Sequence, residues 1–135
     1  MGAYEGLVVA SNLLHGNQTK PDYRGIPSVV FTIPPLAGVG PTEAEARALQ
    51  IDIRVRMEDP SQWYSNRRVN QSCAMFKTIV ETGSDRVCRR APPGPYAEEV
   101  INLFALAIRR GLAATDLKHQ IYAYPTSGSE VPYML

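Results

Sequence analysis

The chain has 135 residues, 44% of them hydrophobic and 20% charged, with a formal charge of +1. That is enough chain for one domain with its own core, and too little charge for a nucleic-acid or acidic-membrane footprint. The arginines come in pairs (Arg67-Arg68, Arg89-Arg90, Arg109-Arg110) rather than as a stripe, which reads as solvated surface and no nucleic-acid partner. No apolar run approaches the ~18 residues a membrane span needs, and no signal-peptide pattern opens the chain, so no membrane partner and a cytoplasmic setting are expected. Cys73 and Cys88, with fourteen residues between them, suit neither a metal site nor a CxxC pair.

In chain order, residues 1–16 predict a short amphipathic helix, with Leu7, Ala10, Leu13 and Leu14 at three-to-four spacing and Gly16 ending the run. His15 sits at that helix end, where a histidine commonly complements the terminus. Residues 17–27 carry two prolines and a glycine and predict a connector, leaving the first helix as an appendage to the core. Residues 28–33 predict a strand stopped by Pro34-Pro35, after which Leu36 to Gly40 turns the chain. Thr42 and Glu45 form a capping box opening a helix to Leu49.

Ile51, Ile53, Val55 and Met57 alternate with Asp52, Arg54, Arg56 and Glu58, a half-buried strand over 51–57. Residues 59–71 form a polar connection. Trp63 and Tyr64 within it are either a binding platform or a loop anchor. The next strand spans 73–81, with Ala74, Phe76, Thr78 and Val80 on one face. Residues 82–85 predict a hairpin turn, and a fourth strand follows over 86–91. That turn sets Glu81 opposite Arg86 and Ile79 opposite Cys88, which leaves Cys73 roughly 20 Å from the position facing Cys88, too far for a disulfide. Arg89, Arg90 and the Pro92-Pro93 pair predict a shortened or edge-like strand, since proline donates nothing to a ladder.

Residues 98–111 predict the organising helix. Val100, Ile101, Leu103, Phe104, Ala105, Ala107 and Ile108 cover an apolar arc of roughly 200°, wider than the ~100° stripe of a surface helix. Leu106 lies among the polar residues on the other side. Glu98 and Glu99 begin the helix, Arg109 and Arg110 end it, and Gly111 suits a left-handed stop. So wide an arc predicts cover on more than one side, a sheet and something else, the helix being either a plain core helix or one that also borders a subunit interface. Thr115 is placed to cap a last short helix containing His119, a surface residue rather than a base.

The run FTIPPLAGVGPTEAEA, residues 31–46, resembles the entry to the C-terminal dimerisation domain of the pyridine nucleotide-disulfide oxidoreductases, the flavoenzymes that include glutathione reductase, lipoamide dehydrogenase and mercuric reductase. Against that family, VCRRAPPG at 87–94 stands in for an apolar strand of the type hhGxxhhG at unchanged length, the kind of block a pair of compensating frameshifts would leave. The closing segment, residues 121–135, is similar to the family's H-P-T-x-x-E motif, which carries a catalytic histidine and its glutamate and reaches the partner's flavin and redox disulfide. Tyr124, Pro125, Thr126 and Glu130 are the matching positions. Tyr124 replaces the histidine, and Gly128 lengthens the spacing before Glu130. A phenol with an ordinary pKa near 10 is a poor base at neutral pH, so no catalytic residue is expected.

The resemblance implies an α+β fold: an antiparallel sheet of four to five strands with helices packed on one face. It divides the chain into residues 1–27, a helix and connector like the end of a flavin domain, and 28–135, the dimerisation domain. FAD and NAD(P) serve the full-length relatives, but no GxGxxG loop or C-x4-C pair occurs in these 135 residues, so no cofactor or metal is expected here. A homodimer is expected, with Tyr122, Tyr124, Tyr133 and Leu106 as interface candidates. Without flavin domains, the alternative for the tail is to fray. Three functions compete: a dimerisation module non-catalytic when alone, a piece of a reductase completed by a separate flavin-bearing chain, and a small-molecule- or protein-binding module reusing the fold.

Overall fold

A computed structural model describes residues 1–91 and 94–135, with the backbone alone at 89–91. Helix α1 (Gly2–His15) ends where Gly16 takes a positive φ of 80°. Its polar side is tied to the connector: Asp22 N–H donates to Tyr4 Oη at 2.7 Å, and Tyr23 Oη donates to Glu5 at 3.1 Å. Its apolar side, with Leu7, Val9, Leu13 and Leu14, is exposed, and no residue of the helix is fully buried. The connector is pinned in turn to the core, since Arg109 Nη1 donates to the Asp22 and Arg24 carbonyls at 3.3 and 3.1 Å. Gly25 makes that approach feasible. Its φ is +61°, and a Cβ there would meet Ile108 Cγ2 and Arg109 Cγ at 3.0 Å.

Strands β1 (Ser28–Val30) and β2 (Leu36–Gly38) pair antiparallel as a two-stranded sheet, Val29 opposite Ala37. The expected strand over 28–33 stops earlier, because Thr32 N–H donates to the Val30 carbonyl and Thr32 Oγ1 to the Pro34 carbonyl, folding the chain back. The residues expected to turn, 36–38, are therefore the returning strand. Helix α2 (Glu43–Ala48) opens on the expected capping box. Glu45 N–H donates to Thr42 Oγ1 at 3.2 Å and Thr42 N–H to Glu45 Oε2 at 2.6 Å.

A second sheet joins β3 (Ile53–Glu58), β4 (Phe76–Glu81) and β5 (Val87–Ala91) in that order, all antiparallel. Among the described residues the five strands thus divide into a pair and a triplet. Both faces of β4 are covered, Phe76, Thr78 and Val80 on one and Ile79 on the other. Across the hairpin, Glu81 N–H bonds the Arg86 carbonyl as expected, but Ile79 lies opposite Arg89 rather than Cys88. The register shifts between Ile79 and Val80, so Cys88 is the extra residue of a β-bulge, a one-residue offset that pure alternation does not reveal. Both cysteines are free. β5 is an edge strand; the expectations for the Arg89 and Arg90 side chains and for Pro92-Pro93 lie outside the described residues.

Helix α3 (Tyr64–Arg68) sits in the connection between β3 and β4. Helix α4 (Ala97–Arg110) buries Val100, Ile101, Phe104, Ala105 and Ala107 and stops at Gly111, φ 66°. It packs on β5, on β2 and on the closing 3₁₀ helix η1 (Ser127–Met134). Those three neighbours cover most of the wide apolar arc from within the chain, with Leu103 and Ile108 left half-buried. Among the apolar residues of α4, Leu106 is the exposed one. Helix α5 (Ala114–His119) begins one residue before its expected cap. Thr115 lies inside it and is held by Asp85 of the hairpin turn, whose carboxylate accepts from Thr115 N–H at 2.9 Å and from Thr115 Oγ1 at 2.7 Å.

Candidate functional site

The closing segment is anchored at both ends. Tyr122 is half-buried against the core, and its hydroxyl donates to the Leu117 carbonyl at 3.0 Å. Thr126 then starts η1, its Oγ1 accepting from Ser129 N–H at 3.2 Å and donating to the Ala123 carbonyl at 2.6 Å. Beyond it Val131, Met134 and Leu135 are buried. The tail does not fray, because three apolar side chains close the core beside α4 and β4.

Glu130 is buried (8% exposed), and its Oε1 accepts from the Ser65 backbone N–H at 3.0 Å. That N–H belongs to the first turn of α3, where donors lack helical partners, so a carboxylate satisfies it. The longer spacing through Gly128 does not displace the carboxylate from the body of the domain. Tyr124, by contrast, is 80% exposed, and its ring lies 6.2 Å from that of Tyr64. Pro125 and Thr126 are exposed beside it.

Tyr124 and Glu130 face one groove of about 440 Å³. Its other walls are Arg56 and Glu58 at the end of β3, Trp63 and Tyr64 at the start of α3, and Ser129 and Tyr133 of η1. Trp63 packs tilted against the buried Phe76 ring, centroids 5.3 Å apart, and meets Tyr133 edge-on at 6.1 Å. It is thus both loop anchor and groove wall. Arg56 and Glu58 form an ion pair at 2.8 Å on the rim. Ser65, Arg56 and Glu58 carry no motif of their own. The period-2 pattern locates β3 but not the tail it runs beside.

Of the interface candidates, Tyr124, Tyr133 and Leu106 are exposed and Tyr122 turns inward. Burial raises the Tyr122 phenol above its ordinary pKa. His15 and His119 lie at exposed helix ends, away from the groove. Among the described residues no group of acids, histidines and cysteines is arranged to hold a metal, and no helix is long and apolar enough to cross a membrane.

Two small antiparallel sheets under one long helix, closed by a 3₁₀ tail that presents a buried glutamate, define an α+β dimerisation-type domain. The model of the pyridine nucleotide-disulphide oxidoreductase dimerisation domain matches residues 26–135, and the chain belongs to that family. A protein described as an uncharacterized 19.7 kDa protein in the mercuric resistance operon of Staphylococcus aureus is 42% identical over 128 residues, covering 95% of this chain and 71% of that one. Dihydrolipoyl dehydrogenase of Bacillus subtilis is 36% identical, with 93% of this chain on 27% of that one. Glutathione reductase of Pisum sativum is 33% identical, with 93% on 23%. Among solved structures, a mutant of the HOCl-induced flavoprotein disulfide reductase RclA from Escherichia coli, in its Cu(II) complex, superposes with a TM-score of 0.90 at 26% identity, covering 98% of this chain and 30% of that one. The chain therefore spans about a quarter of the length of the curated reductases it matches. It is a dimerisation module related to flavin-dependent disulfide reductases.

Proposed function

We propose that this chain acts as a homodimerisation module that is non-catalytic on its own and binds neither FAD nor NAD(P). The observation that carries the reading is the match of the dimerisation domain to residues 26–135, with Tyr124 standing where the family's histidine is expected. Residues 1–27 form the end of a flavin-domain-like region and 28–135 the dimerisation domain, a division supported by the lack of any buried residue in α1. Leu106, Tyr124 and Tyr133 are the exposed side chains proposed to meet the second copy, with Tyr122 at the margin. Tyr124, Pro125, Thr126 and Glu130 are remnants of the active-site motif. The proposed setting is the cytoplasm.

A second reading, a piece of a reductase completed by a separate flavin-bearing chain, is favoured by one feature. The apolar side of α1 is exposed, and the RclA likeness extends over 98% of this chain, while that protein has more than twice as much chain besides. Subunit exchange tests the first reading. Tagged and untagged chains are co-expressed, and the affinity-purified material is examined for the untagged chain and for flavin absorbance. Co-purification of the untagged chain without flavin is expected. Recovery of the tagged chain alone contradicts the dimer, and stoichiometric flavin contradicts the cofactor-free reading.

A further inference from the structure

The replacement of histidine by Tyr124 completes an aromatic wall that the reductase resemblance does not explain. Trp63, Tyr64, Tyr124 and Tyr133 all line the same groove, and Glu58 and Glu130 are the carboxylates among them. The rings stand in two contacting pairs, Tyr64 with Tyr124 at 6.2 Å and Trp63 with Tyr133 at 6.1 Å, the second edge-to-face. Aromatic faces carry partial negative charge and attract a cation within about 6 Å of the ring centre, most strongly at tryptophan. Among the described residues the rim holds one guanidinium, Arg56, already paired with Glu58 at 2.8 Å. Two carboxylates against one guanidinium leave the formal charge of the groove negative. At about 440 Å³ it is in the size range of small-molecule sites.

We propose that this groove binds a small organic cation of the quaternary ammonium class. The methylated head lies against the rings of Trp63 and Tyr124 and its charge faces Glu130. A weakly hydrated cation suits the groove better than a metal ion, because the walls offer ring faces rather than a shell of convergent oxygen ligands. Glu130 is fixed for the task by the Ser65 N–H, and the exposed Tyr124 ring stands at the mouth of the groove. The groove lies within one chain, but Tyr124 and Tyr133 also belong to the proposed dimer surface, so ligand and second copy compete for them.

Trp63 is the only tryptophan in the chain, so its fluorescence reports on this groove alone. Choline is titrated into the full-length protein beside its neutral isostere 3,3-dimethyl-1-butanol, with the mass of each sample measured by light scattering. A saturable change with choline and none with the alcohol is expected. Tyr124→Phe keeps the ring and is expected to keep the affinity; Tyr124→Leu loses about three- to tenfold, the size of one ring's contribution. Both variants alter an exposed side chain, and their folding is checked by circular dichroism. No saturable change, an equal response to the alcohol, or unchanged affinity in Tyr124→Leu overturns the proposal, whatever mass is found.

Discussion

Glu130 and Tyr124 belong to one short motif and have opposite surroundings. The carboxylate is buried on the Ser65 N–H, whereas the phenol is open to solvent. Glu130→Ala removes the acceptor and leaves a buried donor without one, so a loss of about 1–3 kcal/mol is expected in urea unfolding; Glu130→Gln keeps an acceptor oxygen and should lose less. Equal midpoints for wild type and Glu130→Ala would mean that the contact carries no stability. Asp85 offers a test in pH. Its hydrogen bonds from the Thr115 hydroxyl and backbone, with Arg54 nearby, hold its carboxyl below the usual range. A depressed folded pKa gives stability that is present above the ordinary carboxyl pKa and lost as pH falls through the folded one. Asp85→Asn should therefore be about 1 kcal/mol less stable than wild type at pH 7, with the gap closing below about pH 4. A gap unchanged from pH 7 to pH 3 would contradict this. Of these two residues the motif announces only Glu130. Asp85 is read from sequence as a turn residue, because its partner Thr115 lies thirty positions away and only folding brings them together.

Local signals mark the elements well where both partners are close in sequence. The Thr42–Glu45 capping box and the Gly111 stop are legible because each is complete within a few residues. Strand β2 is hidden, since Leu36–Gly38 becomes a strand only by returning along β1. The bulge at Cys88 is hidden too, because period-2 counting assumes one residue opposite one. The breadth of α4's apolar arc is legible, whereas the identity of its neighbours within the chain, β5, β2 and η1, is not. The two chain ends also differ in what they bury. Deleting residues 1–15 removes no buried side chain and should change stability by no more than about 1 kcal/mol. Deleting residues 131–135 removes Val131, Met134 and Leu135 from the core, at about 1.5–3 kcal/mol each. That sum rivals the whole stability of a small domain, so the shortened chain should be unfolded by circular dichroism. A folded 1–130 chain would show that the tail only lies on the surface.

At the scale of the whole molecule, the family assignment and the exposed surface bear on one question. The chain belongs to a dimerisation-domain family, and α4 buries most of its apolar arc within the chain. A symmetric interface must therefore be built from exposed side chains, of which Leu106, Tyr124 and Tyr133 are the proposed members. Tyrosine suits such a surface, having an apolar ring and a polar tip that tolerates water when the copies part. The mass of the chain in solution, measured by light scattering after size exclusion from low to high micromolar concentration, tests this most directly. One chain weighs 14.9 kDa. The account predicts a species of about twice that mass, reduced toward one chain by Leu106→Glu with helical content unchanged. A mass of one chain throughout the range would contradict it.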